Sequence, residues 1–529
     1  MPKQQNIQSM ENMQDMQEES WFAVAKDKVS ARIGGFFRRN KGKFIFAAVV
    51  LLVLLVLFRA VWQPFFLTLR EYIFVFIVLA VYFIILAILG KLKVTLKILV
   101  PLSLVIFASL TIYALSDAPK YLAAYFRYQS LDIVELKELP LTRSERVQPL
   151  DSIYVQASEK INETESVTIP DLILADGKQK WAMEIFPTYL GQKLFKGRIE
   201  ELFVISASSA SPDFSEREKV HFSTGEHLLF SKNVKSNAVK SLGPLKYFSY
   251  FPTNVKVVPD GKGNWLQLVS LARYKGVLFP HIEFAGVHII RQSRPNSSAF
   301  STFLKRLLFG LGEFIPAEHI ADHPYLKGQN LIPYPASRSI AESFKFQKGF
   351  LNPIKSYHDG DIRIPKMLGN HNAMPYVLLF QGVDNKDGLF HYFGLEPYDE
   401  RKHGLSLSLF IASDGRDEKI YIYDHSKKKE SLTGASAIAT KVMESKKNYD
   451  WSKNQPVENR PYIKDIDGKR RLFWLTTVAT VNEKGGLAGS IPEIVITDAA
   501  TNLPIWVDSK NQGQWLEVIQ EQMQFVKDE

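Results

Sequence analysis

The chain contains no cysteine. That absence excludes disulfide staples, thiolate metal sites, iron–sulfur ligation, c-type haem attachment and cysteine nucleophiles together. A glycine-rich phosphate loop, a G-x-S-x-G elbow and a dinucleotide-binding fingerprint are also missing, and no pattern calls for a cofactor. An excess of one charge sign is nearly absent from most of the chain. Up to Ser116 there are 13 basic and 6 acidic residues, which leaves 52 and 49 in the remainder, so the +10 balance belongs mainly to the N-terminal part. A nucleic-acid-binding domain concentrates basic residues on a folded face, and nucleic acid is therefore not an expected partner. At 529 residues and 46% hydrophobic, the chain is too long for one small module and too apolar for a disordered one.

Long hydrophobic runs are present. Residues 44–62, with Arg59 as the one charge, 72–90 and 98–115 each approach the roughly 20 residues that a helix needs to cross hydrocarbon. They predict an anchor of three transmembrane helices in the lipid bilayer. Basic residues before the first run (Lys26 to Lys43) and between the second and third (Lys91, Lys93, Lys97) place the N-terminus in the cytoplasm and residues 116–529 outside it, in a multi-pass protein of the cell membrane. Residues 1–20 read as a disordered tail. Residues 21–43 read as a basic amphipathic juxtamembrane segment or as an irregular basic leader. Trp21, Phe36, Phe37, Arg38, Arg39, Arg59 and Trp62 are the expected membrane-interface residues.

Beyond a collar and linker (116–150), the pattern predicts an α+β extracytoplasmic region, mainly antiparallel sheet. It divides into a first α+β unit (151–300), a helical and loop connector (301–370) and a second α+β unit (371–529) that ends in a helix. Runs such as 265–274, 282–291, 376–383, 471–481 and 493–499 are rich in β-branched and aromatic residues and bounded by turn formers. Residues 260–290 and 467–499 share an order: an Asp-Gly turn, a strand with Trp265 or Trp474, a glycine-containing connector, a proline, and a second strand. A looser third copy starts at Tyr376. Duplicated strand-turn-strand units follow, because one hairpin cannot bury its apolar face alone. The strand that ends in Asp498-Ala499-Ala500-Thr501-Asn502 resembles the PepSY-type repeats of bacterial envelope proteins. The resemblance covers 467–508, with a fainter echo at 260–291, and Asn502 stands where those repeats have glycine. It implies a noncatalytic, inhibitory or scaffolding module outside the membrane.

Two clusters could carry chemistry. His319 and His323 at i,i+4 would share one face of a helix and could hold a metal, although Pro324 opposes a helix there. Tyr357 to Asp361 with Asn370 to Asn372 brings two histidines and two carboxylates, which suit hydrolysis or simply turns. The segment with Tyr449, Trp451, Glu458, Arg460 and Tyr462 is dense in aromatics and prolines, and reads as a binding surface or as a loop pinned on the sheet. The leading expectation is a noncatalytic binding, regulatory or scaffolding domain with another envelope or membrane protein as partner. The alternatives are an extracytoplasmic hydrolase, with or without a metal, and an accessory subunit of a membrane transport complex.

Overall fold

The computed structural model describes residues 41–91, 96–195, 197–292, 305–354, 360–367, 374–399, 401–481, 486–487 and 493–528. The expected tail, the juxtamembrane residues Trp21, Phe36, Phe37, Arg38 and Arg39, and the residues His358, Asp359, His371 and Pro492 lie outside these. The chain forms two compact units, Met1–Trp62 and Gln63–Glu529.

In the first unit, helix α1 (Lys41–Leu57) stops just short of Arg59, where α2 (Arg59–Glu71) begins. The straight span expected over 44–62 is therefore broken at Phe58. Arg59 donates from Nη1 back to the Val56 carbonyl at 3.1 Å, the local acceptor that a guanidinium needs in an apolar run. Trp62, near the start of α2, is exposed.

The second unit begins in the remainder of α2 and continues into α3 (Ile73–Lys91), α4 (Leu96–Leu115) and α5 (Ala118–Gln129). Helices α3 and α4 meet through Phe74 and Tyr113, whose rings lie 5.2 Å apart, and through the Tyr82 hydroxyl, which donates to Ser103 Oγ. Their outer faces leave Phe83, Ile84, Ile88, Leu104, Phe107 and Ile112 each more than half exposed. Among the described residues no single helix is long and apolar enough to cross a membrane. Two bent pairs, Ile45–Leu57 with Arg59–Glu71 and Pro101–Tyr113 with Ala118–Gln129, reach that length and composition together.

The rest is α+β. After β1 (Asp132–Glu135) and β2 (Leu141–Thr142), a helix followed by an antiparallel meander recurs four times. The first copy is α6 (Leu150–Ser158), β3 (Glu165–Val167), β4 (Asp171–Ala175), β5 (Lys178–Pro187), a short α7 (Leu190–Phe195), β6 (Ile199–Ser206) and β7 (Glu218–Phe222). The second is α8 (Val234–Ser241), a short α9 (Pro244–Tyr247), β8 (Tyr250–Pro259), β9 (Trp265–Lys275), β10 (His281–Arg291) and β11 (Glu313–Pro316). The third is α10 (Tyr334–Ser343), β12 (Ile362–Arg363), β13 (Tyr376–Val383), β14 (Lys386–Pro397), β15 (Leu407–Ala412) and β16 (Lys419–Asp424). The fourth is α11 (Ala435–Ser445), β17 (Asn454–Ile466), β18 (Lys469–Thr480), β19 (Glu493–Asp498) and β20 (Pro504–Val507), after which α12 (Trp515–Asp528) closes the described chain.

The same local chemistry builds each meander. The first hairpin turns at Asp176-Gly177, Asp384-Asn385 and Asp467-Gly468, with both residues at positive φ in each pair. This is the two-residue turn whose twist matches the strands and which Asp, Asn and Gly tolerate best. In the second copy the turn is wider, and Asp260 Oδ1 accepts the N–H groups of Lys262 and Asn264 at 2.7 and 2.9 Å. The first strand of every copy is interrupted before its turn: β3 and β4 both pair with β5, β12 and β13 both pair with β14, and β8 and β17 carry bulges. The Asp176 copy, with Trp181 on its second strand, had no counterpart in the sequence reading. The Asp498 turn is as its residues suggest. Asp498 Oδ1 accepts the Ala500 N–H at 2.8 Å, and Asn502 takes the left-handed conformation at φ 61°.

The copies share interiors. Leu266, Val287 and Ile289 of the second sheet enter one core with Phe380, Phe390, Tyr392 and Phe410 of the third and Trp474 of the fourth. Each such side chain contributes about 1.5–3 kcal/mol on burial. Residues 132–142, expected as linker, instead complete the third sheet: β1 pairs parallel with β16, and β2 pairs with β13.

Candidate functional site

Tyr449 and Trp451 of the aromatic segment are half-buried and pack against the largest core. Helix α11 ends beside Lys446, and the chain turns through Tyr449 and Trp451 before entering β17. Strand β20 brings Trp506 alongside, with ring centroids 6.0 Å from Tyr449 and 6.5 Å from Trp451, while Tyr449 and Trp451 lie 4.8 Å apart. All three rings are partly exposed. The indole N–H groups are anchored, Trp451 to the Lys446 carbonyl at 3.0 Å and Trp506 to Ser445 Oγ at 3.1 Å. The Lys446 ammonium sits 3.5 Å from the Trp506 ring centroid and 5.4 Å from that of Tyr449. It also reaches Glu493 at 3.5 Å. Such a cation over an aromatic face is worth about 0.5–1 kcal/mol at an exposed site. The result is a cluster of three half-buried rings with one cation and one carboxylate, anchored on the core.

The other half of the segment is interior, which corrects the expected surface. Glu458, Arg460 and Tyr462 are all buried, because residues 454–466 form β17 and not a loop. At the bulge, Glu458 takes φ 52°, and its carboxylate turns inward to Arg146 at 2.7 Å and Arg460 at 3.3 Å. It also accepts the Leu150 N–H at the start of α6, at 3.2 Å. Arg460 donates to Thr477 Oγ1 at 2.6 Å, and burial brings its guanidinium down to about 10 against the opposing pull of Glu458. Tyr462 packs on Phe473 and Trp515. These groups hold copies together and present nothing to solvent.

The histidine pair does not converge. Residues 317–322 form a 3₁₀ helix, three residues per turn, so positions four apart do not share a face. His319 Nδ1 lies 3.1 Å from Asp322 Oδ2 on the surface, and His323 Nδ1 lies 3.3 Å from the Tyr325 hydroxyl. Among the described residues no group of three or more His, Asp or Glu could hold a metal ion. The second constellation falls largely outside the described residues. Asp361, its one described carboxylate, is buried.

Sequence reasoning missed Lys446 and Trp506. The signal for Trp506 was available: in Pro504-Ile505-Trp506-Val507 the neighbours Ile505 and Trp506 take opposite faces, as a strand requires. No protein-family model, no curated protein and no solved structure matches the chain.

Proposed function

We propose that this is a multi-pass membrane protein of the cell envelope, in which segments 44–62, 72–90 and 98–115 anchor a noncatalytic binding, regulatory or scaffolding domain. In this reading the N-terminus is cytoplasmic, and residues 116–529 are displayed on the other side of the bilayer. One observation carries it: within the second unit, the apolar helices are fixed to one end of the second meander, and that end is itself apolar. Gln63 is buried and donates to the carbonyls of Tyr247 and Tyr250 at 3.1 and 2.8 Å. Arg70 donates to the Gly276 carbonyl at 2.6 Å. Phe279, in the β9–β10 loop, stacks on Phe126 of α5 and packs on Phe74 of α3, each at 5.3 Å. Around these contacts Leu245, Phe248, Val277 and Leu278 are exposed, Leu245 by 90%. An apolar rim continuous with exposed apolar helices is costly in water and favourable in lipid.

The resemblance of 467–508 to PepSY-type repeats and the recurrence of the same meander support a binding or scaffolding role over a catalytic one. The cluster of Tyr449, Trp451 and Trp506 is the contact surface in this reading. The test uses the natural lack of cysteine. A single cysteine at Ser426 or Ser452, both exposed, is labelled in intact cells with a membrane-impermeant maleimide. Labelling before lysis is the expected outcome; labelling only after lysis would place the domain inside and refute the reading.

A further inference from the structure

A cleft of about 880 Å³ lies at one end of the first copy, lined by β3, the end of β5, the start of β6 and the segment after β7. The chain doubles back tightly to form it: a side chain at Gly197 would overlap the Lys193 carbonyl. Its charged groups are unequally satisfied. Arg198 pairs with Glu200, Arg217 pairs with Glu201 at 2.8 Å, and Glu165 accepts from Asn162 Nδ2 at 3.3 Å. Two cations remain. Lys232 and Arg306 both line the cleft, and neither has an acidic partner among the described residues.

Lys232 is held through its ammonium and Arg306 through its backbone. Lys232 Nζ donates to the Leu194 carbonyl at 3.1 Å. The backbone beside Arg306 is fixed by Lys240, which donates to the Arg306 carbonyl at 3.4 Å, and Arg306 Nε is sealed from solvent without a hydrogen-bond partner. Burial, with Arg306 adding to it, holds the Lys232 ammonium below its ordinary value, and burial does the same for Arg306. Two like charges kept together in a partly dry cleft destabilise each other until an anion arrives. The remaining walls offer neutral hydrogen-bonding groups from Asn162, Thr164, Gln192 and Ser223. The volume lies within the range of small-molecule sites, about 300–1,000 Å³.

We propose that this cleft binds a hydroxyl-rich ligand bearing a phosphate or carboxylate group, with the oxyanion between Lys232 and Arg306 and the hydroxyls on Asn162, Thr164, Gln192 and Ser223. Arginine forms paired hydrogen bonds with either oxyanion, and lysine adds a point charge. The inference is independent of where the domain lies relative to the membrane.

The experiment is calorimetric titration of the full chain in detergent with glucose 6-phosphate, glucuronate and glucose. At least one of the two anions should bind about tenfold or more tightly than glucose, and the stronger of the two identifies the oxyanion. Arg306→Gln and Lys232→Gln should each weaken that binding by about tenfold, a loss of about 1.4 kcal/mol, while Lys232→Arg keeps it. The thermal midpoints of the variants are measured alongside, so that a folding defect is seen separately, and the arginine variant tests the charge in a folded protein. Equal binding of glucose and the anions, no binding of either anion at millimolar concentration, or parental affinity in both glutamine variants would overturn the proposal.

Discussion

Arg146 and Glu458 meet at 2.7 Å in the protein interior and tie the segment before the first copy to the bulged first strand of the last. The carboxylate also faces Arg460 and receives the α6 backbone. Removing it leaves two buried guanidinium groups without their anion, a class of change that costs about 3–5 kcal/mol. Glu458→Ala should therefore lower the denaturation midpoint sharply. Arg146→Met with Glu458→Met and Arg460→Met, which removes all three charges, should be far less damaging. Denaturant titration of the purified chain in detergent compares the two.

Glu184 gives the fold a distinct pH dependence. Its carboxylate is buried, accepts from Gln267 Nε2 at 2.6 Å, and is pushed up to about 7 by burial, with Glu226 and Asp171 adding to the effect. A group raised on folding stabilises below its unfolded value and loses that contribution as pH climbs through the folded one. The loss from Glu184 therefore falls between about pH 4.5 and pH 7, and reaches about 3 kcal/mol. Burial also raises Asp171, to about 6, and it acts in the same sense. His391 opposes them, because burial lowers it to about 3 and its contribution disappears as pH falls below its unfolded value. The comparison of variant with parent separates the terms. Relative to the parent, Glu184→Gln should gain about 3 kcal/mol at pH 8 over pH 4, measured by unfolding at both values.

Two glycines should respond differently to alanine. Gly468 sits at φ 72° in the last hairpin turn, with open space where a side chain would go, so Gly468→Ala costs only backbone strain, about 1 kcal/mol. Gly434 begins α11 with an ordinary backbone, yet a methyl there would fall on the Glu396 carboxylate. That carboxylate is buried and accepts both the N–H and the hydroxyl of Ser436. Gly434→Ala should cost more, about 1–3 kcal/mol, as expected of overpacking. Thermal unfolding of the two variants checks the order.

The apolar rim has its own optical test. A cysteine at Val277 labelled with an environment-sensitive fluorophore should be quenched by brominated lipid in reconstituted vesicles, and the same label at Ser426 should not be. Equal quenching at the two positions would contradict the membrane-facing assignment of the rim.

Much of the antiparallel architecture was legible because the strands alternate between Gly- and Asp-rich turns, and 376–383 is a strand with the expected bounds. Strand β17 was not legible. Pro456 and Pro461 argue against a central strand, and they are tolerated because β17 lies at the end of its sheet, where half of the backbone N–H groups have no ladder to join. A loop over these prolines would put Glu458 and Arg460 on the surface. A one-residue bulge at positive φ decides otherwise, and no local composition announces it. The break at Phe58 was equally hidden, since hydropathy counts Arg59 as one charge and does not see where its guanidinium turns.

The edge strands β1 and β2 have a bearing on how the chain is made. They are synthesised long before β13 and β16, the strands they complete. Partners so distant in sequence raise the contact order and slow folding. The third sheet therefore cannot complete its two edges until both its earliest and its latest strands have been made. A nascent chain cut off before Lys419 would leave β1 without its neighbour and the third sheet unfinished.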